Sequence, residues 1–230
     1  MIHYNPNDIL ISIHIPKCGG TSLDAILQKW FGLGLHRHYF NTRSGALPEK
    51  ARLKTWWGSL RKGVCVHGHF NARKAYGVFD YYPQAKQFIT VLRDPLEHLI
   101  STYYYELKVA KKRKLFRNKK RVSLSDFPDI DTYIRTHDSY LLLGFPWEMN
   151  MENYKNIIQK NFISIGVSED LQGFISDAAQ KLGKKNYKIP HLNISQRYQM
   201  PNEESIAIFK AKHPLEYAVY AYAKELNDEK

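Results

Sequence analysis

Residues 9–31 read Ile9-Leu10-Ile11-Ser12-Ile13-His14-Ile15-Pro16-Lys17-Cys18-Gly19-Gly20-Thr21-Ser22-Leu23-Asp24-Ala25-Ile26-Leu27-Gln28-Lys29-Trp30-Phe31. The first seven form a short apolar run rich in β-branched side chains, the mark of a buried strand. Pro16 to Gly20 break it. From Thr21 the apolar period becomes 3.6, placing Leu23, Ile26, Leu27, Trp30 and Phe31 on one helical face, and Gly32 and Gly34 end that helix. A strand that feeds a helix through a glycine turn gathers backbone N–H groups around an anion, and the helix dipole adds partial positive charge there. Lys17 supplies a full charge, and Thr21 and Ser22 supply hydroxyls. The ATP-binding pattern G-x-x-x-x-G-K-[ST] is absent, because here the lysine precedes the glycine pair. A Gly-Gly pair in this setting also serves as a plain turn, so the stretch alone leaves both uses open.

Working outward, further strands are expected at 64–67, 87–92 and 162–167. The second of these expected strands (QFITVL) is stopped by Arg93-Asp94-Pro95. A long helix starts at Pro95, where proline suits the first turn, and runs through Tyr103, Tyr104 and Tyr105. Another begins near Ser168-Glu169-Asp170, with Leu171, Phe174, Ile175, Ala178 and Leu182 on one face. The last covers roughly 203–226, with a break at Pro214. Strands alternating with helices imply an α/β fold: a P-loop-like arrangement with a central parallel sheet flanked by helices. With 230 residues, no internal repeat and no low-complexity linker, the chain reads as a single domain, with a mobile basic insertion at about 108–129.

Lys and Arg number 34 against 22 Asp and Glu, a net charge of +12. That balance favours an anionic partner: a polyanionic ligand, a nucleic acid or an anionic surface. Nine of the fourteen residues 108–121 are basic, a run that is as readily a solvated face as a binding surface. No apolar run approaches the ~20 residues needed to span a bilayer, and no signal peptide is visible. Only two cysteines occur, Cys18 and Cys65, which fits a reducing compartment. The expectation is a cytoplasmic protein without a transmembrane anchor.

The segment His14-Ile15-Pro16-Lys17-Cys18-Gly19-Gly20-Thr21-Ser22-Leu23 resembles the 5′-phosphosulfate loop of sulfotransferases that use 3′-phosphoadenosine 5′-phosphosulfate (PAPS). It is most similar to the carbohydrate group containing the heparan sulfate 2-O- and 6-O-sulfotransferases and bacterial relatives, whose loop reads H-[IV]-P-K-[TAC]-G-G-T-[ST]. Arg93-Asp94-Pro95 with Ser101, about 75 residues on, resembles the family's R-D-P-x-x-R-x-x-S-x-Y-[YR] element; His98 stands where the family carries a second arginine. Residues 162–171, His191-Leu192-Asn193-Ile194-Ser195 and 214–223 resemble three further family segments, and the likeness is thinnest between about 106 and 160.

The resemblance implies a donor site built from Pro16, Lys17, Cys18, Gly19, Gly20, Thr21 and Ser22 at the 5′ end. Arg93 and Ser101 would serve the 3′-phosphate, and Asn193 and Ser195 a closing loop. His67-Gly68-His69 resembles the motif that carries the general base in the 2-O group. It implies His69 as base, His67 as an acceptor-side helper or its support, Lys17 as the cation at the departing oxygen, and no metal. Histidine suits the base role because its pKa lies near neutrality. On this reading PAPS is the donor, the nucleotide product is 3′-phosphoadenosine 5′-phosphate (PAP), and the partner is a hydroxyl acceptor. A saccharide is expected, an anionic one included, with no specific nucleic acid. Arg37, His38, Arg43, Trp56, Trp57 and Tyr103 to Tyr105 are candidates for lining its groove. A small-molecule or tyrosine hydroxyl is the alternative acceptor; a P-loop kinase or a polyanion-binding module is the more remote alternative.

Overall fold

The computed structural model describes residues 1–41, 44–51, 63–116, 127–189 and 199–228, with the backbone alone for 112–116 and 228. Five strands form one sheet: β1 (Leu10–Ile13), β2 (Leu35–His38), β3 (Cys65–Gly68), β4 (Gln87–Leu92) and β5 (Phe162–Val167). All neighbours pair in parallel, in the order β2-β3-β1-β4-β5. The expected P-loop-like α/β architecture is therefore the one observed.

Buried parallel strands read as near-continuous apolar runs, and β1, β4 and β5 are buried at every position. Helix α1 (Gly20–Phe31) and helix α6 (Leu171–Lys181) cover one face with Leu23, Ile26, Leu27, Phe174 and Ile175. On the other face, α2 (Val78–Tyr81), α5 (Tyr154–Asn161) and α8 (Pro214–Asp228) contribute Val78, Ile158 and Val219. A third apolar cluster joins α3 (Pro95–Phe116), α4 (Ile130–Thr136) and α7 (Glu203–Lys212) through Leu99, Ile100, Tyr133 and Phe209. The helix expected over 203–226 is α7 and α8 with the break at His213, just before Pro214.

Three adjacent strands set the site. Ile13 at the end of β1 lies beside Gly68 of β3 and Thr90 of β4, and Thr90 Oγ1 donates to the Ile13 carbonyl at 2.9 Å. The chain leaves β1 toward β2 and later crosses back to β4, so the topology reverses around β1. In open α/β sheets that is where ligands bind, beyond the carboxyl ends of the strands. Of the expected basic insertion, the part up to Phe116 is helix α3, and 117–126 lie outside the described residues.

Candidate active site

The loop after β1 turns sharply at two places. Lys17 has φ 67° and Gly19 φ 78°, the left-handed region that glycine enters freely and lysine rarely does. Cys18 N–H closes back on the Ile15 carbonyl at 3.3 Å, and its side chain packs into the core beneath the sheet. Burial pushes the Cys18 thiol up, away from any nucleophilic use. Helix α1 follows with no side-chain cap. The first N–H groups of a helix lack intrahelical acceptors, so this N-terminus is free to receive an anion.

Arg93 follows the end of β4, next to the loop. Its Nη1 donates to the Lys17 carbonyl at 3.2 Å and its Nη2 to Glu97 Oε2 at 3.4 Å. His98 stands one turn into α3 and is 1% exposed. Its Nε2 donates to the Pro16 carbonyl at 3.0 Å, because a carbonyl offers no proton of its own. His98 thus ties α3 to the turn. Burial, with Arg93 and Lys17 adding to it, lowers its pKa to about 4 against the opposing Pro16 bond. The ammonium of Lys17 lies 4.5 Å from the centroid of the Tyr105 ring, over its face. Burial first, then Arg93 and Lys108, lowers the Lys17 pKa.

Past Gly68, His69 N–H donates to the His38 carbonyl at 3.0 Å. The His69 ring sits 4.5 Å from that of His14 and edge-on to Tyr39 at 4.9 Å. Its Nε2 is buried without a partner, and burial lowers its pKa. His67 lies beneath: it is 0% exposed, is stacked on His14 at 4.9 Å, and pairs its Nδ1 with Ser12 Oγ at 2.9 Å. Among the described residues no group of three or more His, Cys, Asp or Glu is placed to hold a metal.

A cleft of about 1950 Å³ opens over these elements. Pro16, Lys17, Gly19, Gly20, Thr21 and Ser22 line it, and so do Arg93, Ser101 and His69. The residues expected to serve opposite ends of one ligand therefore line one cleft. His67 does not line the cleft, and Cys18 reaches it with neither its side chain nor a lining atom. Asn193, Ser195, Arg43, Trp56 and Trp57 lie outside the described residues.

Of the other residues expected along the groove, Arg37, His38 and Tyr103 do not line the cleft. Arg37 makes a two-pronged pair with Asp24, both contacts at 2.9 Å. His38 is fully buried and stacks on Phe70 at 4.6 Å. Tyr103 packs in the third apolar cluster, while Tyr104 and Tyr105 do line the cleft. Three contacts at or beside the cleft had no signal in the sequence: the tie from His98 to Pro16, the seat of the Lys17 ammonium over the ring of Tyr105, and the Tyr39 hydroxyl at 2.8 Å from His14 Nδ1.

No family model and no curated protein matches the chain. Among solved structures, the crystal structure of mouse sulfotransferase SULT7A1 complexed with PAP is similar, at 15% identity and a TM-score of 0.43, over 91% of this chain and 65% of that one. The chain thus spans slightly less than two thirds of the length of that protein.

Proposed function

We propose that this chain is a sulfotransferase that binds PAPS and transfers its sulfuryl group to a hydroxyl, with a carbohydrate acceptor. One observation carries the reading: the 16–22 loop, Arg93, Ser101 and His69 line a single cleft at the carboxyl edge of the sheet. The cradle fits a doubly anionic nucleotide. Lys17 and the uncapped start of α1 face one end, and Arg93 with the Ser101 hydroxyl faces the other. When bound, the donor supplies an activated sulfuryl group attached to a phosphate.

The chain's own residues then do four things. The left-handed turn at Lys17 and Gly19 brings Lys17 and the start of α1 to the cleft, where they offset negative charge on a departing oxygen. Arg93 and Ser101 hold the far phosphate and fix the ligand's position along the cleft. His69, kept neutral by burial, accepts the proton of the attacking hydroxyl. His67, buried behind His14 and bonded to Ser12, keeps the ring stack in place.

Incubation with radiolabelled PAPS and a panel of glycans, phenols and tyrosine peptides tests the reading. Label is expected to pass to a glycan. Transfer to phenols or peptides alone would move the acceptor assignment, and no acceptor-dependent loss of label across the panel would contradict the activity.

A further inference from the structure

His14 ends the first strand region, and nothing in the reading above gives it a chemical part. Its ring lies directly over the start of α1: a methyl group at Gly20 would sit 1.7 Å from His14 Nε2. That nitrogen therefore reaches the backbone turn where the anion is to be held, and His14 lines the cleft. The opposite nitrogen, Nδ1, is 2.8 Å from the Tyr39 hydroxyl.

The contact with Tyr39 bears on which nitrogen carries the proton. Burial, with His67 and His69 adding to it, lowers the His14 pKa to about 2, so the ring is neutral and carries one N–H. Burial likewise raises the Tyr39 pKa, so its oxygen keeps a proton that needs an acceptor. His14 Nδ1, at 2.8 Å, is an acceptor within its reach. With the Tyr39 O–H donating to Nδ1, the ring proton is on Nε2, on the side of Gly20.

We propose, on the sulfotransferase reading, that His14 is a second catalytic imidazole: a neutral donor whose Nε2–H is aimed by Tyr39 at the sulfuryl end of the donor. It binds no proton during the reaction and differs in this from His69. A neutral N–H here adds a hydrogen bond to an anionic group without adding a charge to a site already holding Lys17 and Arg93. Gly20 is required beside it because any side chain would occupy the space of the ring.

The test uses the full chain and compares PAP, which has no sulfuryl group, with PAPS in the absence of acceptor. His14→Phe keeps an aromatic ring but removes the donor. By calorimetry it is expected to leave PAP affinity within about threefold while weakening PAPS selectively, and to lower kcat about 100-fold. His14→Gln, with an amide N–H near the Nε2 position, is expected to recover part of that loss. Tyr39→Phe keeps the packing and frees the tautomer, and is expected to lower kcat about tenfold. In 15N-histidine spectra the wild type is expected to show His14 protonated at Nε2, and Tyr39→Phe a mixture of tautomers. If the wild type binds no PAP, the sulfotransferase reading fails and this inference with it. If PAP binds normally but His14→Gln and His14→Phe both keep wild-type kcat, or PAP and PAPS affinities fall together, the donor role is overturned and the reading stands. Should His14→Phe not fold, the His14→Gln and Tyr39→Phe results decide in the same way.

Discussion

Arg93 Nη1 donates to the backbone carbonyl of Lys17 at 3.2 Å, joining two elements separated by 76 positions in the chain. The same guanidinium retains further N–H groups for a ligand, since arginine carries five in a fixed fork. Arg93→Ala is therefore expected to weaken PAP binding by about 10–100-fold, and Arg93→Lys to restore little of it, because an ammonium cannot reproduce the fork. The shift in melting temperature produced by saturating PAP measures this. Equal shifts in wild type and Arg93→Ala would remove Arg93 from the site.

Lys17 lies in the left-handed region at φ 67° with its ammonium over Tyr105. Lys17→Ala is expected to lower kcat by about 100-fold or more, with a smaller effect on PAP binding, because its charge is needed most as the donor bond breaks. A fall in PAP affinity as large as the fall in kcat would make Lys17 a binding residue alone.

Gly20 cannot carry a side chain without displacing His14. Gly20→Ala is expected to cost about 1–3 kcal/mol of stability, as overpacking does, and to lower activity through displacement of the ring. Denaturant unfolding and turnover are measured together. A fully stable and fully active Gly20→Ala chain would contradict the packing described.

The buried histidines make stability depend on acid. His67 and His98 have pKa values lowered to about 4 and His14 to about 2, each chiefly by burial, against an ordinary 6.5. Below 6.5 the unfolded chain takes up protons that the folded chain refuses. The stability these groups contribute is thus complete above 6.5 and declines as the pH falls from 6.5 toward about 4, with His14 extending the loss further. Each adds up to about 1.4 kcal/mol per pH unit to the slope. Between pH 6.5 and 5, before most carboxylates titrate, unfolding free energy is expected to drop steeply. A flat profile there would mean the rings are not held neutral.

His69 sets the pH dependence of turnover. Burial lowers its pKa below 6.5, and the neutral ring is the active form. Activity is expected to rise with pH along an acidic limb whose midpoint lies below 6.5, and His69→Ala to abolish both limb and turnover. An acidic limb that survives in His69→Ala would assign the base elsewhere.

Much of this arrangement was legible in the sequence. β5 falls at the expected residues, because six consecutive buried positions are all apolar or small. Helix α1 was legible from five apolar residues in helical register. β2, Leu-His-Arg-His, was not: it is an edge strand of four residues, three of them polar, and its burial comes from pairing with β3 and from stacking of His38 on Phe70. The short helices α2, α4 and α5 carry too few turns to show a period. At the site, the loop and Arg93 were visible as motifs, and the strand order brings them together. The orientations of His14, His98 and Tyr39 depend on side-chain packing across elements far apart in sequence, which no local pattern encodes.

The central claim is that the turn at Lys17 and the pair Arg93 and Ser101 grip the two ends of one nucleotide. A calorimetric titration of the wild-type chain with PAP, adenosine 5′-phosphate and magnesium ATP tests it most directly. PAP is expected to bind at unit stoichiometry and about 100-fold more tightly than adenosine 5′-phosphate, which lacks the second phosphate. Equal affinity for the two, or binding of magnesium ATP with none of PAP, would contradict the account.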